Sequence, residues 1–315
     1  MNISVVIPLL NESQSLNELC NSICEVMSSY GFTYEIILID DGSTDESWEV
    51  IQTLSKNSAD IKGIKFKRNY GKSQALHAGF LNCNGDVVFT MDADLQDDPK
   101  EIPEMYDMII NDNYDLVSGW KKKRFDSILF KNIPSKIFNF AARVTSGIKL
   151  NDFNCGLKAF KKDVVKNINV YGEMHRYIPV LAKNEGYHKI GEKIVNHRPR
   201  KHGNTKFGPS RFLHGFLDLI TIWFISSFGK RPMHLFGSLG LIMLTTGFLF
   251  AGFLGYDKIF ANPGGRLITE RPEFYISLVT MIIGSQFFSM GFIGELILKS
   301  INKSPQYVIQ KQTNL

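Results

Sequence analysis

The chain has 315 residues and a net charge of +5, room for one α/β domain of about 200 residues plus an appendage. The basic excess clusters at Lys121-Lys122-Lys123-Arg124 and between Arg198 and Arg231; near apolar segments and without a nucleic-acid motif, it points to phosphate or anionic lipid, and no nucleic-acid partner is expected. Cys20, Cys24, Cys83 and Cys155 lack the His or second Cys pair of a zinc site, so they read as reduced, packed thiols.

Ile3 to Leu9 is an apolar, β-rich run. No apolar stretch precedes it, so no signal peptide is expected. Asn11-Glu12-Ser13 breaks the run and caps a helix reaching about Tyr30. Glu35 to Ile39 is a second buried strand that ends in Asp40-Asp41-Gly42-Ser43-Thr44-Asp45, where Ser43 or Asp45 caps the next helix. A third strand spans Gly63 to Lys67, and a helix runs from Ser73 to about Asn82. Val87 to Met91 then reads as a strand covered on both faces, since it shows no polar alternation. This strand–helix alternation implies a parallel sheet with right-handed crossovers.

The fourth strand stops at Asp92-Ala93-Asp94-Leu95-Gln96-Asp97-Asp98-Pro99. Asp98 and Pro99 fit an N-cap and first helical position. Asp92 and Asp94 fall on one side of an extended chain, and such hard oxygen ligands suit Mg²⁺ or Mn²⁺. Polar residues thus end three strands: Asn11 with Glu12, Asp40 with Asp41, and Asp92 with Asp94. In open α/β sheets, ligands bind beyond the carboxyl ends of the strands, so one rim is expected to hold a nucleotide. Neither a dinucleotide-binding glycine pattern nor a P-loop is present, which leaves a metal to neutralise a diphosphate.

A helix over Ile102 to Asn111 and a strand over Leu116 to Gly119 follow. An amphipathic segment covers Ile128 to Thr145, a polar loop covers Asn151 to Lys158, and His197 to Lys206 is a basic loop. Phe212 to Gly229 is apolar with positive residues at both ends, as in a helix lying in the membrane interface. Pro232 to Tyr256 and Phe274 to Gly294 carry no Asp, Glu, Lys or Arg, and each is long enough to cross a hydrocarbon core of roughly 30 Å. Lys230 and Arg231 before the first span, with Lys299 and Lys303 after the second, place both ends in the cytoplasm. The expected domains are a cytoplasmic catalytic domain (1–210), an interfacial helix (211–231), a two-helix membrane domain (232–300) and a cytoplasmic tail (301–315). Gly247, Ala251 and Gly255 form a small-residue ridge in the first span, able to pack on the second span or on another copy in a homodimer or homotetramer.

Three stretches carry a family resemblance: Val6-Ile7-Pro8-Leu9-Leu10-Asn11-Glu12, Ile39-Asp40-Asp41-Gly42-Ser43-Thr44-Asp45, and Met91 through Pro99. They resemble the inverting family-2 glycosyltransferases with the A-type nucleotide-sugar fold, a mostly parallel Rossmann-like sheet. More narrowly, the chain is similar over nearly its whole length to the polyisoprenyl-phosphate glycosyltransferases, namely dolichol-phosphate mannose synthases and bactoprenol glucosyltransferases. The resemblance implies Asp92, Asp94 and Gln96 around a divalent metal. It implies Pro8, Asn11, Glu12, Asp41, Ser43 and Asp92 in the nucleotide-sugar pocket, with Arg200 and Lys206 over the phosphates. Asp94 and Asp152 become the catalytic acids, with Asp152 beside the reacting sugar. Arg124 and Ser135 receive the lipid phosphate.

The implied reaction moves a sugar from a nucleotide diphosphate to a polyprenyl phosphate at the cytoplasmic face of the inner membrane, supplying a lipid-linked sugar for cell-envelope glycan. A phosphate monoester is already ionised near neutral pH, so Asp152 either orients the substrates or serves as base. Undecaprenyl phosphate is the expected acceptor and UDP-glucose the first expected donor; GDP-mannose, UDP-N-acetylhexosamine and UDP-amino-arabinose types are the alternatives. A polysaccharide synthase would carry more spans and a Gln-x-x-Arg-Trp motif, absent here; an inactive scaffold would not need acids at all three strand ends.

Overall fold

The computed structural model describes residues 1–122, 139–140, 142–144, 146–172, 174–199, 224, 228, 231–300 and 309–313, with backbone alone at 298–300 and 309–312. The chain forms two compact units, Met1–Trp223 with Ser304–Leu315, and Phe224–Lys303.

The first unit is built on a mixed sheet of β1 (Ile3–Leu9), β2 (Tyr34–Asp40), β3 (Ile61–Phe66), β4 (Val87–Thr90), β5 (Leu116–Trp120), β6 (Lys158–Lys161), β7 (Ile190–Ile194) and β8 (Ile309–Thr313). Among the described residues its order is β7-β5-β6-β4-β1-β2-β3-β8. β1 pairs in parallel with β2 and β4, and β2 with β3. β6 runs antiparallel between β4 and β5, and β5 pairs in parallel with β7. The expected mostly parallel sheet is therefore present, with β6 inserted antiparallel beside the acidic strand end and β8 antiparallel to β3 at the far edge.

The central strands lack polar alternation because both faces are covered. Val5, Val6, Ile7 and Ile36 through Ile39 are fully buried. Helix α1 (Leu16–Ser29) packs Leu16, Leu19, Cys20, Ile23 and Met27 into this core, an apolar stripe at helical spacing. Helices α2 (Ser47–Asn57), α3 (Lys72–Asn82) and α4 (Ile102–Ile110) complete the alternation. All four cysteines are free thiols, with Cys20, Cys83 and Cys155 buried.

Two of the residues expected as caps are used elsewhere. Helix α1 begins at Leu16, after Ser15, and has no side-chain cap. Asn11 adopts a left-handed φ of 54°, which Asn tolerates better than most residues, and its carboxamide instead accepts from Thr44 N at 2.9 Å. Of the two candidates for the start of α2, Ser43 instead accepts through its hydroxyl from Asn11 N at 2.9 Å, while Asp45 Oδ1 accepts from Ser47 N, the first residue of that helix, at 3.1 Å. The other expected cap is present, since Asp98 Oδ1 accepts from Lys100 N at 3.1 Å with Pro99 following.

The second unit consists mainly of helices Pro232–Tyr256, of 25 residues, and Pro272–Ser300, of 29 residues. Both are long and apolar enough to cross a membrane. In the polar connection between them, Arg271 pairs with Asp257 at 2.6 Å. The helices touch through glycine: a Cβ on Gly240 would meet Gly284 O at 2.6 Å, and one on Gly247 would meet Ser277 O at 2.8 Å. The expected ridge packs only in part, because Gly255 has nothing within 4 Å. Most of the amphipathic segment at 128–145 and of the interfacial segment at 212–229 lies outside the described residues.

Candidate active site

The carboxyl ends of β1, β2 and β4 meet in a cleft of about 330 Å³ lined by Pro8, Leu9, Leu10, Glu12, Asp41, Asn69, Gly71, Lys72, Asp92, Ala93 and Asp94. The loops after β1 and β2 are tied together side chain to backbone. Besides the Asn11 contacts, Glu12 N donates to Ser47 Oγ at 3.0 Å and Ser13 N to Asp45 Oδ2 at 3.3 Å. Asn11 and Ser43, expected in the nucleotide pocket, thus hold its wall in shape.

Asp40 and Asp41 play different parts. Asp40 is fully buried and accepts from Ser43 N at 2.7 Å, which closes the turn at Gly42. That glycine has φ 78° and packs against the backbone of Arg68, leaving no room for a side chain. Asp41 accepts from Tyr70 N at 2.7 Å and Gly71 N at 2.9 Å, fastening the loop before α3 to the cleft. Burial pushes the Asp41 carboxyl up, the two N–H donors pull it down and Asp40 raises it again, leaving it at about 6.

The acidic motif departs from the extended geometry expected of it. β4 ends at Thr90, and Leu95 takes a left-handed φ of 62°, so Asp92 to Leu95 form a turn. The turn is held from within: Asp92 N donates to Asp97 Oδ2 at 3.4 Å and Gln96 N to Asp94 Oδ1 at 3.2 Å. Asp92 and Asp94 still line one cleft. Asp97 is almost fully buried and pairs with Lys121 at 2.7 Å. Burial works against the Lys121 charge, but Asp97 outweighs it and raises the ammonium's pKa. Asp98 pairs with Arg198 at 2.6 Å, and Arg198 N donates to Gln96 O at 2.9 Å.

Lys72, the first residue of α3, places its ammonium 2.5 Å from Asp92 Oδ1. Burial pushes the Asp92 carboxyl up, but the charges of Lys72 and Lys121 prevail and hold it well below the usual carboxylate range. Pro8, Lys72 and Asp92 also line a second cavity, of about 210 Å³, which continues past Phe153, Asn154, Cys155, Gly156, Lys158, His175 and Arg176. Gly156 packs against Asp92: a Cβ there would lie 2.5 Å from the carboxylate carbon. Burial lowers the pKa of Lys158, and burial with the Lys72 charge holds the His175 imidazole well below its ordinary value.

Asp152 lies behind this second cavity rather than in its lining. It is 1 % exposed, and its Oδ1 accepts from Asn154 N at 3.1 Å. Its own N–H donates to Glu192 Oε1 at 2.9 Å, and Ser118 Oγ donates to its carbonyl at 3.2 Å. Arg124, Ser135, Arg200 and Lys206 lie outside the described residues. The sequence reading missed Lys72, Gly156 and Lys158 as site residues; the available signals were the Gly71-Lys72 pair opening α3 and the Asp-x3-Gly-x-Lys spacing from Asp152 to Lys158.

Asp92 and Asp94 supply hard oxygen donors on one wall of the cleft, and an ammonium already rests against the first of them. That donor chemistry fits a hard divalent cation. Among the described residues no three His, Cys, Asp or Glu side chains cluster closely enough to hold a metal by themselves. Two carboxylates and a diphosphate suit Mg²⁺, which is commonly bound through one or two carboxylates together with substrate phosphates.

A mostly parallel sheet with a cleft and two acids at its carboxyl rim is the arrangement of a nucleotide-binding α/β fold. Residues 4–168 match the Glycosyl transferase family 2 family, and the chain belongs to that family. It is 34% identical to a dodecaprenyl-phosphate galacturonate synthase of Rhizobium johnstonii, over 99% of this chain and 93% of that protein. It is also 34% identical to an undecaprenyl-phosphate 4-deoxy-4-formamido-L-arabinose transferase of Pseudomonas savastanoi pv. phaseolicola, over 98% and 90%. Among solved structures, glucosyl-3-phosphoglycerate synthase from Mycobacterium tuberculosis with Mn²⁺, UDP and glucosyl-3-phosphoglycerate aligns at a TM-score of 0.56 and 18% identity, over 71% of this chain and 79% of that one. The same enzyme solved with Mg²⁺ and UDP aligns at 0.56 and 16% identity, over the same shares. These two likenesses establish the fold.

Proposed function

We propose that this protein transfers a sugar from a nucleotide diphosphate to the phosphate of a polyprenyl lipid at a membrane surface. The observation that carries the reading is a pair of adjoining cavities that share Pro8, Lys72 and Asp92 at the strand-end rim. The first cavity suits the nucleotide diphosphate and the second the sugar that extends from it. The two apolar helices and the polyprenyl-phosphate relatives supply the lipid acceptor. Those relatives name galacturonate and a formamido-arabinose, so UDP-glucose, the donor expected from sequence, gives way to sugars of these types.

In this mechanism Asp92 and Asp94, which line the cleft, would hold Mg²⁺ or Mn²⁺, with Gln96 as the further proposed ligand. When bound, the ion stabilises charge developing on the leaving diphosphate. Pro8, Glu12 and Asp41 shape the nucleotide cleft, while Asn11 and Ser43 keep its wall in register. The lipid phosphate, ionised near neutral pH, attacks the anomeric carbon from the face opposite the diphosphate. The new C–O bond forms as the old one breaks, the diphosphate leaves with the electron pair, and the anomeric centre inverts. No strong base is needed. Asp152, held by Asn154 N and behind the cavity lining, acts as a positioning residue for the loop that carries Asn154 to Gly156. Arg200 and Lys206 for the diphosphate, and Arg124 and Ser135 for the lipid phosphate, complete the proposed residue set, and the positive flanks of the spans support a site on the cytoplasmic side of the inner membrane.

Asp94→Ala tests the metal role. The purified full-length variant, given Mn²⁺ or Mg²⁺, is expected to lose roughly two orders of magnitude in transfer, the size of effect seen when one preorganised electrostatic contact is removed. Undiminished transfer would overturn the assignment.

A further inference from the structure

Among the described residues, the second cavity contains a buried ammonium that no carboxylate pairs with directly. Lys158 opens β6, where the antiparallel register sets it opposite Thr90 of β4 and Ser118 of β5. It is 4 % exposed and lines the cavity. Its ammonium donates to the Cys155 carbonyl and forms no ion pair among the described residues. Asp92, the carboxylate in the same cavity, is engaged with Lys72 at 2.5 Å, and Asp152 accepts from Asn154 N. A buried ammonium with one neutral acceptor is a costly arrangement, tolerated where a counter-charge arrives with a ligand.

Position decides which ligand. The cavity shares Pro8, Lys72 and Asp92 with the nucleotide cleft, so a sugar leaving the diphosphate passes Asp92 before reaching Lys158. A neutral hydroxymethyl group would leave the ammonium unpaired. A carboxylate at the far end of the sugar would close a charge-assisted hydrogen bond. We propose that Lys158 forms an anion subsite for the carboxylate of a uronic-acid sugar on the donor, and so selects uronate over neutral hexose. The inference rests on the transfer reaction proposed above and adds the residue that reads the sugar.

The experiment compares UDP-galacturonate with UDP-galactose, which differ only in carboxylate against hydroxymethyl. Full-length protein in lipid nanodiscs is used as wild type, Lys158→Met and Lys158→Arg. Donor binding is measured calorimetrically with Mn²⁺, and transfer is followed over a range of undecaprenyl phosphate concentrations. Wild type is expected to favour the uronate by about tenfold or more, Lys158→Met to lose that preference, and Lys158→Arg to restore most of it, in keeping with the ~10–100-fold value of a charged hydrogen bond. Equal use of both donors by wild type would overturn the proposal. So would a Lys158→Met variant that weakens both donors alike and raises the KM for the lipid, which would assign the ammonium to the acceptor phosphate. Absence of lipid product from every donor would strike the transfer reaction itself and not the subsite alone.

Discussion

Gly156→Ala tests whether the loop ahead of β6 sets the position of the acidic motif. An alanine Cβ at this position would lie 2.5 Å from Asp92 Cγ, 2.5 Å from Oδ2 and 2.7 Å from Oδ1. Carbon atoms settle at about 3.5–4.0 Å, so the carboxylate or the loop must retreat by about 1 Å. Thr90 Oγ1 donates to Gly156 O at 2.7 Å, which resists movement of the loop and leaves Asp92 to yield. Overpacking of this size costs about 1–3 kcal/mol of stability. A displacement of about 1 Å in a reacting constellation costs about 10²-fold in rate. The rate is therefore expected to suffer more than the fold. Thermal unfolding and initial-rate transfer over a Mn²⁺ titration measure the two effects on one preparation. Wild-type turnover with an unchanged Mn²⁺ dependence would refute the argument that Gly156 sets the position of Asp92.

Two further predictions concern Asp97, buried beneath the site, and Asp41, in its lining. Asp97→Ala strips the partner from Lys121, whose side chain is 12% exposed and pairs at 2.7 Å; leaving a buried charge uncompensated costs about 3–5 kcal/mol, so a urea midpoint equal to wild type would contradict the assignment. The raised Asp41 value of about 6 lies above the ordinary carboxylate value of about 3.9, so the folded state takes up this proton first. Its contribution to stability is fully present below about pH 3.9 and is lost as pH rises through about 6. Asp41→Asn is expected to flatten that segment of the stability–pH profile measured by chemical denaturation, and an unaltered profile would count against it.

Much of this architecture is legible in the chain because its central strands are covered on both faces. Runs such as Val5-Val6-Ile7 and Ile36 to Ile39 admit no polar residue, so their apolar continuity marks them and the acids after them. β6 and β7 lack that signature. β6 is Lys158-Ala159-Phe160-Lys161, with lysine at each end, and β7 alternates charge within Ile190–Ile194. Both owe their place to neighbours rather than to propensity. The same limit applies at the site. Asp92 and Asp94 are visible as acids ending a strand, but Lys72 and Lys158 look like solvated lysines until the fold brings them to a common cavity. Asn11 and Ser43 have the composition of helix caps, yet the turns they occupy let them bond to each other. Nothing short of the tertiary contact distinguishes the two uses.

The most direct measurement of the central claim is mass spectrometry of the lipid fraction after purified full-length protein is incubated with Mn²⁺, undecaprenyl phosphate and a panel of UDP-sugars that includes the galacturonate and formamido-arabinose donors. The account predicts a polyprenyl phosphate heavier by one sugar, formed with equimolar release of UDP and only when lipid, metal and donor are all present. Nucleotide sugar that binds but yields no lipid product, or that is merely hydrolysed whether or not the lipid is added, would contradict it.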